Sequence, residues 1–106
     1  MAEGKIRCII KRPDEKYGHV TNITNTLENL QKTVGGYIET LTLPGFMLIL
    51  NEEGAVTDMP FNCRVLGFTL FGTIIAAGFD GEDFADVGIP FDYWKAIIDE
   101  SNGGQA

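Results

Sequence analysis

The chain has 106 residues, 44% of them hydrophobic and 22% charged, and a formal net charge of −7. That is enough for one hydrophobic core but not two, it is not the composition of a disordered chain, and no apolar run reaches the ~18 residues of a membrane-spanning helix. The charge is lopsided, six basic against five acidic side chains over residues 1–50 (6 − 5 = +1) and two against ten over residues 51–106 (2 − 10 = −8), so direct nucleic-acid binding through the second half is disfavoured.

Along the chain, M-A-E-G-K-I-R lacks the basic start and apolar stretch of a secretory signal, and a cytosolic setting is expected. Ile6, Cys8 and Ile10 alternate with polar neighbours over Lys5–Lys11, which predicts a strand. R-P-D-E-K supplies a turn and Tyr17–Thr24 a weaker second strand, so the N-terminus reads as a hairpin. Asn25 or Thr26 suits a helix N-cap, with Leu27, Leu30 and Val34 forming an apolar stripe and Glu28 and Lys32 spaced as an i, i+4 pair. Gly35 or Gly36 then fits the left-handed position that ends a helix.

Tyr37–Leu43 is predicted as a strand, Pro44-Gly45 as a turn, and Phe46–Leu50 as a buried return strand, followed by a turn at N-E-E-G. Ala55–Cys63 reads as a loop, because Pro60 is unfavourable in a central strand. Phe68–Phe79 is the main strand of the second half, divisible at Gly72, and Asp80–Gly88 reads as an acidic loop. Pro90 suits a first helical position, and Phe91, Trp94, Ile97 and Ile98 give the apolar face of a C-terminal helix. The expected class is α+β: a small, mostly antiparallel sheet of five to six strands with a short helix at about 26–34 and a C-terminal helix at about 90–100. Residues 1–106 form a single domain with its core over about 5–100, and S-N-G-G-Q-A at 101–106 is expected to fray.

Four blocks carry a family resemblance: L-E-N-L-Q-K-T-V-G-G-Y-I-E, N-E-E-G, P-F-N-C-R and G-T-I-I-A-A-G-F-D-G-E-D-F. Their order and spacing over Leu27–Phe84 resemble a small domain family of phages, prophages and bacterial mobile elements, domain of unknown function 3846. The resemblance implies a phage or mobile-element origin and a bacterial cytoplasm, and it implies no mechanism. The chain departs from the usual pattern at Cys63 and in its helical C-terminal extension.

Candidate sites are few. Gly35-Gly36 follows a helix and precedes a strand, the reverse of a phosphate-binding loop, and is read as a cap. Cys8 and Cys63 are read as buried thiols, and two cysteines with one histidine make no closed zinc site. Asp80, Glu82, Asp83 and Asp86 lack the spacing of a calcium loop. His19, the sole histidine, has no nucleophile motif to serve, so no enzyme, cofactor or metal is expected.

Tyr37 and Glu39 share a strand face by parity and can line a ligand groove. Arg64 can hold a phosphate or carboxylate, with Asn51 and Asn62 orienting it. Phe91, Tyr93 and Trp94 offer an aromatic interaction face. The leading expectation is a small non-catalytic accessory protein that binds a host or phage protein, or forms a homo-oligomer through a sheet edge or that aromatic face. The alternative is a binder of a small anionic, nucleotide-type ligand. An acidic nucleic-acid mimic stands behind both.

Overall fold

The computed structural model of the chain describes residues 4–54 and 56–99. Its elements are β1 (Lys5–Lys11), β2 (His19–Thr24), α1 (Leu27–Val34), β3 (Ile38–Leu43), β4 (Phe46–Asn51), β5 (Phe61–Val65), β6 (Phe68–Phe71), β7 (Ile74–Asp80), β8 (Asp83–Ala85), α2 (Phe91–Ile97) and β9 (Ile98–Asp99). Strands β2-β1-β7-β4-β3, with β8 added to the end of β7, make a six-stranded antiparallel sheet. A second sheet of order β6-β5-β9 packs against one of its faces. The expected α+β class, with a mostly antiparallel six-stranded sheet, a short helix and a C-terminal helix, is therefore what the chain forms. The tail at 101–106 lies outside the described residues.

The N-terminal hairpin is present, with Lys5 opposite Thr24 and Ile10 opposite His19. Two apolar clusters sandwich the main sheet. Ile6, Cys8, Ile10, Ile49, Ile75 and Ala77 face α1 through Leu30 and Val34. Ile9, Leu48, Ile74 and Ala76 face the second sheet and Trp94. Strand β7 is buried on both faces from Ile74 to Gly78, which is why it reads as an unbroken apolar run rather than an alternating one. Gly78 permits this crowding, since a Cβ there would collide with the Asp86 carbonyl oxygen.

Helix α1 starts at Thr26, whose hydroxyl accepts from the Asn29 amide at 3.2 Å. It stops at Gly35 (φ +86°), where the amides of Gly35 and Gly36 both donate to the Gln31 carbonyl at 2.8 and 3.0 Å. Leu27 stays 58% exposed, so the buried stripe is one residue shorter than expected.

Three expectations need correction. Phe61–Val65 is a strand and not a loop: Pro60 precedes it, and Cys63 and Val65 point inward at 0% exposure. Asp83–Ala85 is a short strand within the acidic segment, paired with Gly78–Asp80. Helix α2 ends at Ile97, because Ile98 turns extended and pairs with Val65; Pro90 is its N-cap rather than its first helical residue. Among the described residues, no helix is long and apolar enough to cross a membrane.

Candidate functional site

Among the described residues, strand β3 ends the main sheet and β6 ends the second, and each pairs with a neighbour on one side only. Where the two sheets part between these edges they leave a slot of about 280 Å³. Leu41, Leu50, Leu70, Phe68 and Phe71 supply its apolar lining, while Glu39 and Glu52 bring carboxylates to it. Strand parity explains the arrangement: Glu39 and Leu41 point to the same side of β3, and Leu50 lies opposite Glu39 across the ladder.

Glu52 is placed by a turn that locks onto the end of α1. Its amide donates to the Tyr37 carbonyl at 2.9 Å. The preceding Asn51 accepts from the Glu53 amide through Oδ1 at 2.7 Å and donates through Nδ2 to the Val34 carbonyl at 3.2 Å. That second bond satisfies one of the carbonyls a helix end leaves open. Gly36 makes room for it, since a Cβ there would sit 2.8 Å from Asn51 Nδ2. The V-G-G-Y-I-E and N-E-E-G blocks are thus two halves of one interlock.

Of the five ligand-binding candidates, Glu39 and Asn51 line the slot, and Tyr37, Asn62 and Arg64 do not. Tyr37 is 71% exposed on the surface. Both Asn51 side-chain groups are committed to the turn and helix end. Asn62 is buried elsewhere, turned inward by an irregularity in the β5–β6 register between Phe61 and Cys63. Arg64 is exposed and donates through Nε to the Thr69 hydroxyl at 3.2 Å, which places it beside the slot rather than in it. The structure does not bring Arg64, Asn51 and Asn62 together around one anion.

The aromatic face also divides. Trp94 is fully buried, meets Phe46 edge-on at 6.1 Å, and donates through Nε1 to the Tyr17 carbonyl at 2.8 Å. Phe91 is half-buried against the same cluster beneath the Lys95 ammonium. Only Tyr93 is exposed, so these three residues do not make a joint docking surface.

Sequence reasoning missed Lys11, which it gave only as the end of a hairpin strand. Lys11 is 1% exposed, and its Nζ donates to Asn62 Oδ1 at 2.7 Å. The Asn62 amide group returns two bonds, to the Lys11 carbonyl at 2.9 Å and the Gly72 carbonyl at 2.7 Å. The available signal was Ile9 next to Ile10: consecutive apolar residues in a strand mark burial on both faces, and Lys11 lies on the Ile9 side.

Burial pushes the Cys8 thiol up from 9.0 to about 11. Slight burial pushes the Glu15 carboxyl up, but the Arg12 amide, the His19 hydrogen bond and the charges of His19 and Arg12 outweigh it and hold Glu15 below its ordinary value. Glu15 lies 3.0 Å from His19 Nδ1 in the first turn, well away from the slot.

The slot therefore sets two glutamates over apolar walls. No curated protein and no solved structure matches this chain. The family described as domain of unknown function (DUF3846) matches residues 6–90, from β1 through β8 to the residue that caps α2, so α2 and β9 fall beyond the matched span. With most of its length so matched, the chain belongs to the DUF3846 family.

Proposed function

We propose that this chain is a non-catalytic protein-binding module whose slot between β3 and β6 receives basic side chains carried on an apolar stretch of a partner. The observation that carries the reading is the slot's lining: two glutamates, five large apolar residues and no lysine or arginine. Counting Arg64 beside Thr69, the local balance is still acidic. An anionic nucleotide would meet like charge there, and about 280 Å³ falls below the ~300–1,000 Å³ of pockets that enclose drug-sized ligands. The excess of ten acids over two basic residues in the second half favours a basic partner through long-range attraction as well. The family resemblance supports a host or phage protein as that partner, met in the bacterial cytoplasm.

A titration with a seven-residue peptide of lysine and valine, against the same peptide with glutamate for lysine, tests the reading. The lysine peptide should shift amide resonances of Glu39, Leu41, Phe68 and Phe71, and binding should weaken as salt rises. Exposed charge pairs contribute about 0.2–1 kcal/mol each, so replacing Glu39 and Glu52 together by glutamine should weaken binding about two- to thirtyfold. Equal binding of the glutamate peptide, or shifts confined to other surfaces, would overturn it. Stabilisation by nucleotides with shifts at Arg64 would favour the anionic-ligand alternative.

A further inference from the structure

The hydrogen-bonding phase of β3 says which of its backbone groups are free. The Glu52 amide donates to the Tyr37 carbonyl, and the β3–β4 ladder pairs Glu39 with Leu50, Leu41 with Leu48 and Leu43 with Phe46. Antiparallel ladders bond at every second pair, so Tyr37, Glu39, Leu41 and Leu43 turn their backbone groups toward β4. Ile38, Thr40 and Thr42 therefore point their N–H and C=O groups to the open side, where no strand pairs with them among the described residues.

An open edge alone does not define a site. This edge, however, is flanked by a groove on each face of the sheet. On one face lies the slot, with Glu39 and Glu52 over Leu41, Leu50, Phe68 and Phe71. On the other, a groove of about 250 Å³ runs across β3, β4 and β7, lined by Thr40, Met47, Phe79 and Phe84 with Glu82 and Asp83. Phe79 is 44% exposed there, beyond the part of the sheet that α1 covers. Each groove combines two carboxylates with apolar surface, and the two lie on opposite sides of the same free edge.

We propose that an extended segment of a basic partner protein adds to β3 as an antiparallel or parallel strand, feeding alternate side chains into the slot and the opposite groove. This deepens the protein-binding reading above and rests on it. A strand's side chains alternate between faces with a period of two, which is the spacing the paired grooves demand. Four flanking carboxylates call for basic residues on both faces of the incoming strand. A second copy of this chain is disfavoured as the occupant, because edge-to-edge pairing would oppose one Glu39-bearing edge to another on molecules of net charge −7.

The test uses the peptide Lys-Lys-Val-Val-Lys-Lys-Val, which presents lysine and valine on both faces. Amide hydrogen exchange is followed at each β3 residue. Peptide binding should slow exchange at Ile38, Thr40 and Thr42 by about tenfold or more while leaving Glu39, Leu41 and Leu43, already held by β4, unchanged. N-methylation at every second peptide residue should abolish this in one phase and spare it in the other. Spermine, which supplies charge without a backbone, should protect none of the three. These changes lie in the ligand, so the fold of the protein is untouched. Binding without alternate-residue protection, or equal binding of both N-methylated peptides, refutes strand addition but leaves the slot reading standing. Failure of the unmodified peptide to bind removes both.

Discussion

Replacing Asn62 by alanine should destabilise the fold by about 4 kcal/mol, although Asn62 is neither large nor apolar. Its side chain holds three partners at once: the Lys11 ammonium at 2.7 Å, the Lys11 carbonyl at 2.9 Å and the Gly72 carbonyl at 2.7 Å. Alanine takes a donor from each of the two carbonyls and the acceptor from a buried ammonium; an unsatisfied buried carbonyl costs about 1–3 kcal/mol, and a hydrogen bond to a charged group contributes about 1.5–3 kcal/mol. Partial collapse and entry of water offset some of that sum, which is why about 4 kcal/mol is expected rather than the total. Against a typical domain stability of about 5–15 kcal/mol this is a large loss.

The assay is urea unfolding followed by the emission of Trp94, the sole tryptophan and fully buried. With a slope of about 2 kcal/mol/M, the midpoint should fall by about 2 M. Asn62→Asp is the discriminating control. A carboxylate would pair better with the ammonium, but it has no N–H for the two carbonyls, so it too should destabilise, by about 2 kcal/mol. In the double variant Lys11→Met/Asn62→Ala the charge is gone, and the penalty should be smaller than the sum of the singles. A midpoint for Asn62→Ala within about 0.5 M of wild type, or strict additivity of the two, would refute the buried-charge account.

Gly36→Ala should push Asn51 Nδ2 off the Val34 carbonyl and cost about 1–3 kcal/mol in the same unfolding assay, with Asn51→Ala similar and the double variant little worse than either. Because the Glu15 carboxyl is held below its unfolded value, its contribution is complete above that value, near 4.5, and fades as pH falls through the folded one. Glu15→Gln should accordingly lose less stability than wild type between pH 5 and pH 3, and parallel curves would count against the Arg12–Glu15–His19 cluster. Cys8 runs the other way: its thiol is raised to about 11, so its contribution is complete below about pH 9 and is lost as pH rises toward 11. Cys8→Ala should flatten that alkaline decline, and thiol labelling of Cys8 at pH 8 should track unfolding rather than outpace it.

The legible parts of the fold were those written in local chemistry. Thr26, Gly35 and the Pro44-Gly45 turn act within a few residues of themselves, and α1, β3 and β4 came out within a residue or two of their expected bounds. In the second sheet, β6 was legible as the part of Phe68–Phe79 before the break at Gly72, but β5 was not, because it is defined by what it packs against and Pro60 one residue upstream reads as a breaker. Trp94 fits an interaction surface equally well in sequence; only the position of Phe46 and the Tyr17 carbonyl makes it core. Of the slot, parity exposed Glu39, but its opposite wall comes from β6, some thirty residues away in sequence, and no periodicity joins the two.

The residues that carry the family resemblance are largely committed to architecture. Gly36 clears space for Asn51, Asn51 closes α1 onto the turn before Glu53, Asn62 accepts from the buried Lys11 ammonium, and Gly72 (φ +75°) adopts a backbone most side chains resist while its carbonyl receives Asn62. Glu39 and Glu52, by contrast, are exposed and make no side-chain bond to the fold among the described residues. The division has a consequence that can be measured. Reversing the charge at Glu39 and Glu52 together should leave the unfolding free energy within about 0.5 kcal/mol of wild type, as surface substitutions do. The same change should invert the preference between lysine and glutamate peptides. If stability falls with the preference, those carboxylates serve the fold and the slot is not the binding surface.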